Sequence, residues 1–89
     1  MTDRELKNNT KKIIEWEKKD GYNLLLNFIT EEFFEVCFLE KLENGRYKLF
    51  FSGEGVGKKV ISALRKNKDF WEECWYSSTI GYIFEFTID

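Results

Sequence analysis

An α+β domain, with helices packed on a small antiparallel sheet, is the fold class that three features of this 89-residue sequence predict. Asn44-Gly45 stands between two runs of alternating apolar residues. Amphipathic, heavily charged segments with capping signals open the chain and follow that hairpin, and the C-terminal segment returns to alternation. Strand-like and helix-like periods that follow one another in a chain of one-domain length are most economically packed as one sheet with helices mainly on one face. Residues 1–89 read as a single domain, with no linker, repeat or low-complexity tract.

The elements follow in order. Thr2 and Glu5 form a capping box, and Leu6, Ile13, Ile14 and Trp16 make a narrow apolar stripe ending at Gly21, so residues 2–20 are expected as an outlying helix. Residues 22–29 are open to two readings: Asn23 can cap a short helix, but Leu24, Leu26 and Phe28 alternate, which favours a further strand. Phe34, Val36 and Phe38 alternate with Glu35, Cys37 and Leu39, and Tyr47, Leu49 and Phe51 alternate after the turn. Residues 33–43 and 46–52 are therefore expected as a β-hairpin, because Asn and Gly tolerate the positive φ its turn requires. Val56, Val60, Ala63 and Leu64 mark a second helix over 56–67. Asp69 and Glu72 repeat the capping pattern for a short helical extension at 70–76. Ile80, Tyr82, Phe84 and Phe86 alternate through a last strand over 79–88, expected beside the hairpin and open to self-pairing into a homodimer if it lies at an edge.

Composition narrows the function classes. Histidine is absent, which removes the usual general base near neutral pH and the commonest transition-metal ligand. Cys37 and Cys74 alone do not make an ordinary zinc site, and without a secretory signal they read as buried thiols. The polar N-terminus and the lack of a long apolar run point to a cytoplasmic protein with no membrane partner. No catalytic residue, metal or cofactor is expected, and the chain is read as a non-enzyme. Nine Phe, four Tyr and three Trp make 18% of the chain, more ring surface than so small a core hides, so some rings are expected to face a partner. Trp71, Trp75 and Tyr76 are the candidate anchors.

Charge is unevenly distributed. Residues 31–45 carry a net of −4, residues 46–68 a net of +6 and residues 69–89 a net of −5, within a chain of net −2. Oppositely charged faces that orient docking are one consequence; spatial interleaving that cancels the blocks is the other.

The segment from Ser52 to Lys59, SGEGVGKK, lies between a strand and a helix and resembles a degenerate Walker A loop. Gly57-Lys58 matches the Gly-Lys core, but Ser52 and Lys59 depart from the first glycine and the magnesium-binding hydroxyl. Gly55-Val56-Gly57 resembles the end of the acetyltransferase coenzyme A loop, and Gly57-Lys58-Lys59 resembles the start of the last helix of a double-stranded-RNA-binding domain. Each resemblance covers under a tenth of the chain and assigns no family. Physically, Gly55, Gly57, Lys58 and Lys59 form a candidate anion site of backbone amides and ammonium groups, or simply a sharp strand-to-helix turn.

The expectation that follows is a small binding protein that engages a host or defence-system protein through aromatic anchors and a charged rim. Its size and composition resemble those of inhibitors and adaptors encoded by phages or mobile elements. The alternative is a nucleic-acid or nucleotide/phosphate binder using the Gly-rich turn 52–59 and the basic helix. A DNA-mimicking inhibitor would need the two acidic blocks to share a face.

Overall fold

A computed structural model describes residues 1–52 and 54–88. Helices α1 (Asp3–Glu15) and α2 (Tyr22–Glu32), with a short 3-10 turn at Lys18–Asp20 between them, precede the hairpin of β1 (Cys37–Lys41) and β2 (Arg46–Phe51). Helices α3 (Val56–Lys66) and α4 (Lys68–Cys74) follow, and a second hairpin of β3 (Trp75–Thr79) and β4 (Ile83–Thr87) ends the described chain. The strands form one antiparallel sheet in the order β1-β2-β4-β3. α2, α3 and α4 lie on one face of it, and α1 packs outside them on α3 and α2. The expected α+β architecture is the one observed.

The first helix starts as its capping box predicts: the Thr2 hydroxyl accepts from the Glu5 amide. Only Ile13 of this helix is buried, in keeping with its thin apolar stripe. It ends earlier than expected, at Trp16, whose indole Nε1 donates to the Gly21 carbonyl at 2.9 Å.

The reading of 22–29 as a strand is corrected: the segment is helix. Tyr22, Leu25, Leu26, Ile29 and then Phe33 are buried, which is a helical spacing, whereas Leu24 is 52% exposed. The alternation of Leu24, Leu26 and Phe28 was incidental, and only the longer window that includes Phe33 separates the two periods. Residues 33–36 belong to the turn that follows α2, so β1 begins at Cys37.

The Asn-Gly turn is as expected. Asn44 and Gly45 both have positive φ, 60° and 74°, and the Arg46 amide donates to the Glu43 carbonyl at 3.3 Å. A Cβ at Gly45 would stand 2.4 Å from the Ile88 carbonyl oxygen, so glycine is required there for packing as well as for φ.

Three corrections concern the C-terminal third. The 70–76 extension is α4, and its cap is Asn67 rather than Asp69: the Asn67 side chain accepts from the Phe70 amide at 3.2 Å. Trp75 and Tyr76 are strand, not helix. The single strand over 79–88 is a hairpin, turning at Ile80-Gly81-Tyr82 with positive φ at Gly81 and Tyr82. β4 is consequently interior, paired antiparallel to both β2 and β3, and β3 takes the edge. Gly81 inside an alternating run was the available signal for that break.

The core lies between the helices and one sheet face, with Leu49, Phe51, Phe84 and Phe86 meeting Leu25, Ile29, Val60, Leu64 and Phe70. A side chain of this size contributes about 1.5–3 kcal/mol when fully buried. Asn67 is the buried polar residue within it, and its amide nitrogen donates to the Ile13 and Trp16 carbonyls, both at 2.9 Å. One side chain thus caps α4 and satisfies the open C-terminal end of α1.

Candidate functional site

With all helices on one side, the other face of the sheet is uncovered. Strand alternation and register decide what it carries. Leu49, Phe51, Phe84 and Phe86 point to the core, so Phe50 and Ile83 point away, and Phe38 pairs with Phe50, which pairs with Ile83. These three side chains form an apolar row across β1, β2 and β4, with Phe38 64% exposed and its ring centroid 6.0 Å from that of Phe50. The sequence sets Phe34, Val36 and Phe38 against Glu35, Cys37 and Leu39 without deciding which set faces the core; in the structure Cys37 is buried and Phe38 faces out. Both faces of β1 are apolar, so alternation alone did not choose between them.

The next row on this face is Glu40, Lys48 and Glu85, which are register partners in sequence across the same strands. Arg46 Nη2 donates to Glu85 Oε2 at 2.7 Å, and its guanidinium lies over the Tyr76 ring at 5.0 Å from the centroid. The bond to Glu85 and its charge raise the Arg46 pKa above its ordinary value. Arg46 Nε is buried without a hydrogen-bond partner, which works against those two contacts. The face therefore presents an apolar row, a charged row of alternating sign, and an arginine-tyrosine stack at the β3 side.

The three candidate anchors do not form one cluster. Trp71 is half-buried: it meets Phe84 and Phe86 edge-on at 5.8 and 5.7 Å and stacks on Trp75 at 6.3 Å. Trp75 is 44% exposed on that helix side, its Nε1 donating to Ser78 Oγ at 2.9 Å. Tyr76 is 59% exposed and belongs to the open face with Arg46. A register irregularity between Trp75 and Ser77 accompanies this division.

The candidate anion residues also separate. Gly57 is buried, and a Cβ there would stand 2.2 Å from the Ser52 carbonyl oxygen, so this glycine lets the end of β2 approach the first turn of α3. Its amide donates to the Glu54 carbonyl and that of Lys59 to the Gly55 carbonyl. Gly55 is exposed with φ 55°, while Gly53 of the same loop lies outside the described residues. Lys58 lines a groove with Arg65 and Tyr82, whereas Lys59 lines another between α1 and α3 with Lys7. The loop also follows a strand of a wholly antiparallel sheet, unlike the parallel setting of a Walker A loop.

The acidic blocks meet on the open face at Glu40 and Glu85, with Lys48 between them, while their helix-side members stay apart. Glu31, Glu32 and Glu40 lie toward the β1 edge, and Asp69, Glu72 and Glu73 lie on α4 near the β3 edge. Cys37 and Cys74 are both buried. The Cys37 thiol lies 3.4 Å from the Phe33 carbonyl, and burial pushes its pKa up to about 11, leaving it protonated and unreactive at neutral pH. Among the described residues, no helix is long and apolar enough to cross a membrane.

Phe38, Phe50, Ile83, Arg46 and Tyr82 were not singled out from the sequence. For the first three the available signal was apolar residues on both parities of the same strands; for Tyr82 it was its place beside Gly81. Comparison with protein-family models, curated proteins and solved structures finds no match to this chain, so its functional reading rests on the geometry of these surfaces.

Proposed function

We propose that this chain is a non-enzymatic docking protein, an inhibitor or adaptor that engages one protein partner through the uncovered sheet face. The observation that carries this reading is the Phe38–Phe50–Ile83 row, held on three strands and followed by the Glu40–Lys48–Glu85 row. A solvated sheet face ordinarily alternates to polar residues. Here one row holds Phe38 in water and leaves Phe50 and Ile83 half-buried on the open side, which favours an interaction surface. The two cations and two carboxylates of the face balance, so it suits a protein surface of mixed charge better than a polyanion. Tyr76 stacked under Arg46 adds the residue types that dominate binding energy at interfaces. Four strands spaced ~4.8 Å apart give a flat area of only about 300 Å². That is the centre of a standard interface of roughly 800 Å² per partner.

The test is affinity capture from source-cell lysate under nuclease, using the wild-type chain, Phe38→Asp, Tyr76→Ala and Lys66→Glu. A protein retained in fixed ratio by wild type and Lys66→Glu, and lost with Phe38→Asp and weakened with Tyr76→Ala, supports the reading. Identical capture by all four folded proteins refutes it.

A further inference from the structure

A second surface, on the helix side, has a different chemistry. Along α3, Lys58, Arg65 and Lys66, with Lys68 just beyond, line a groove of about 430 Å³ whose lining includes no carboxylate. All four are exposed. Among the described residues the ion pairs are Lys18–Glu73, Lys19–Glu17 and Arg46–Glu85, so none of these four cations has a carboxylate partner. In a chain of net charge −2, this is segregation of charge rather than an excess of lysine.

Aromatic surface runs beside the cations. The Arg65 guanidinium lies 5.3 Å from the Trp71 ring centroid and 5.7 Å from that of Phe84, and Trp71 stacks on Trp75 at an interplanar angle of 19°. Tyr82, 41% exposed, closes the other side of the groove. Its φ of 61° is a left-handed conformation that glycine or asparagine fills more readily. An aromatic residue kept there, at the mouth of a cationic groove, is a strained position with a ring to offer.

We infer that this groove binds single-stranded nucleic acid, with Lys58, Arg65, Lys66 and Lys68 meeting phosphates and Tyr82 stacking on a base. Cations tracking a backbone beside exposed rings is the arrangement that single-strand recognition requires, since each unpaired base has a π-face to stack. From Lys58 to Lys66 the groove follows about 12 Å of helix, long enough for more than one phosphate. An acidic peptide satisfies the cations but has no use for the ring. A duplex keeps its bases stacked within and leaves Tyr82 without a partner. This surface is distinct from the open sheet face and stands or falls separately from it.

The experiment is fluorescence anisotropy of a short labelled oligothymidylate titrated with the chain over a range of salt, with polyglutamate and anionic vesicles as competitors. Saturable binding is expected, with log affinity falling with log salt at about −0.7 per phosphate neutralised, so near −3 for four cations. Lys66→Glu with Lys68→Glu should weaken binding at least tenfold and flatten that slope. Tyr82→Gly suits the φ at that position, so the fold is retained; it should weaken binding about tenfold with the slope unchanged. Phe38→Asp should leave binding as it is. Absence of saturable binding at low salt overturns the inference. So does wild-type affinity in Tyr82→Gly, or equal competition by polyglutamate or vesicles, which would mark a general cationic patch.

Discussion

Leu49 and Phe50, or Phe84 and Ile83, are neighbours in sequence and alike in chemistry, yet the first of each pair is buried under the helices and the second lies on the open face. The two faces of one sheet thus draw on the same residue types with opposite consequences. On the covered face every ring is in contact with the core, and removing one leaves a cavity. On the open face Phe38 loses little in water by being shortened, because it has little to lose. What distinguishes structural from functional aromatics in this protein is which side of the strand they leave, not what they are.

Substitutions that exaggerate this contrast give the largest effects. Phe86→Ala, at 0% exposure, should lower unfolding free energy by about 3–5 kcal/mol, read from denaturant melts. An Asn67→Ala variant should lose about 2–3 kcal/mol, since a helix cap and two bonds to the α1 end disappear together. Trp71→Ala should fall between core and surface, at about 1–2 kcal/mol, because its ring meets Phe84 and Phe86 but is only half-buried. Trp75→Ala should cost less than Trp71→Ala in the same assay.

The covered face also has a pH signature. Cys37 has a native pKa raised by burial from 9.0 to about 11, so the folded state holds its proton more tightly than the unfolded state. Stability from this group is therefore complete below pH 9 and declines as pH rises toward 11. Discounted for partial screening, the loss is on the order of 1–2 kcal/mol. Melts of wild type and Cys37→Ala between those limits check it, and the steeper alkaline decline should belong to wild type. Smallest of all should be the stability change in Phe38→Ala, within about 0.5 kcal/mol.

Much of the fold was legible because local signals were strong where the chain is simple. Thr2 and Glu5, Asn44-Gly45 and the Val56–Leu64 stripe each specify an element by themselves. The failures came where two periods coexisted. Leu24 to Phe28 satisfies a strand over five residues and a helix over twelve, and β1 is apolar on both parities. The second hairpin was hidden because Ile80, Tyr82, Phe84 and Phe86 alternate straight through a turn whose φ values tertiary structure imposes, with the Phe51 amide donating to the Tyr82 carbonyl at 3.0 Å. Of the candidate sites, exposure of Trp75 and Tyr76 followed from aromatic excess, but their separation onto two faces did not. That separation follows from β3 being strand, whose successive side chains leave opposite faces, where the sequence had read helix.

The central claim, that the open sheet face is the docking surface, is most directly tested by mapping backbone amide shifts on titrating the captured partner. Shifts or broadening concentrated at Phe38, Lys48, Phe50, Ile83 and Glu85, with α1 and α2 unaffected, is the predicted result. Perturbation confined to the helices, with those five amides unchanged, would contradict it.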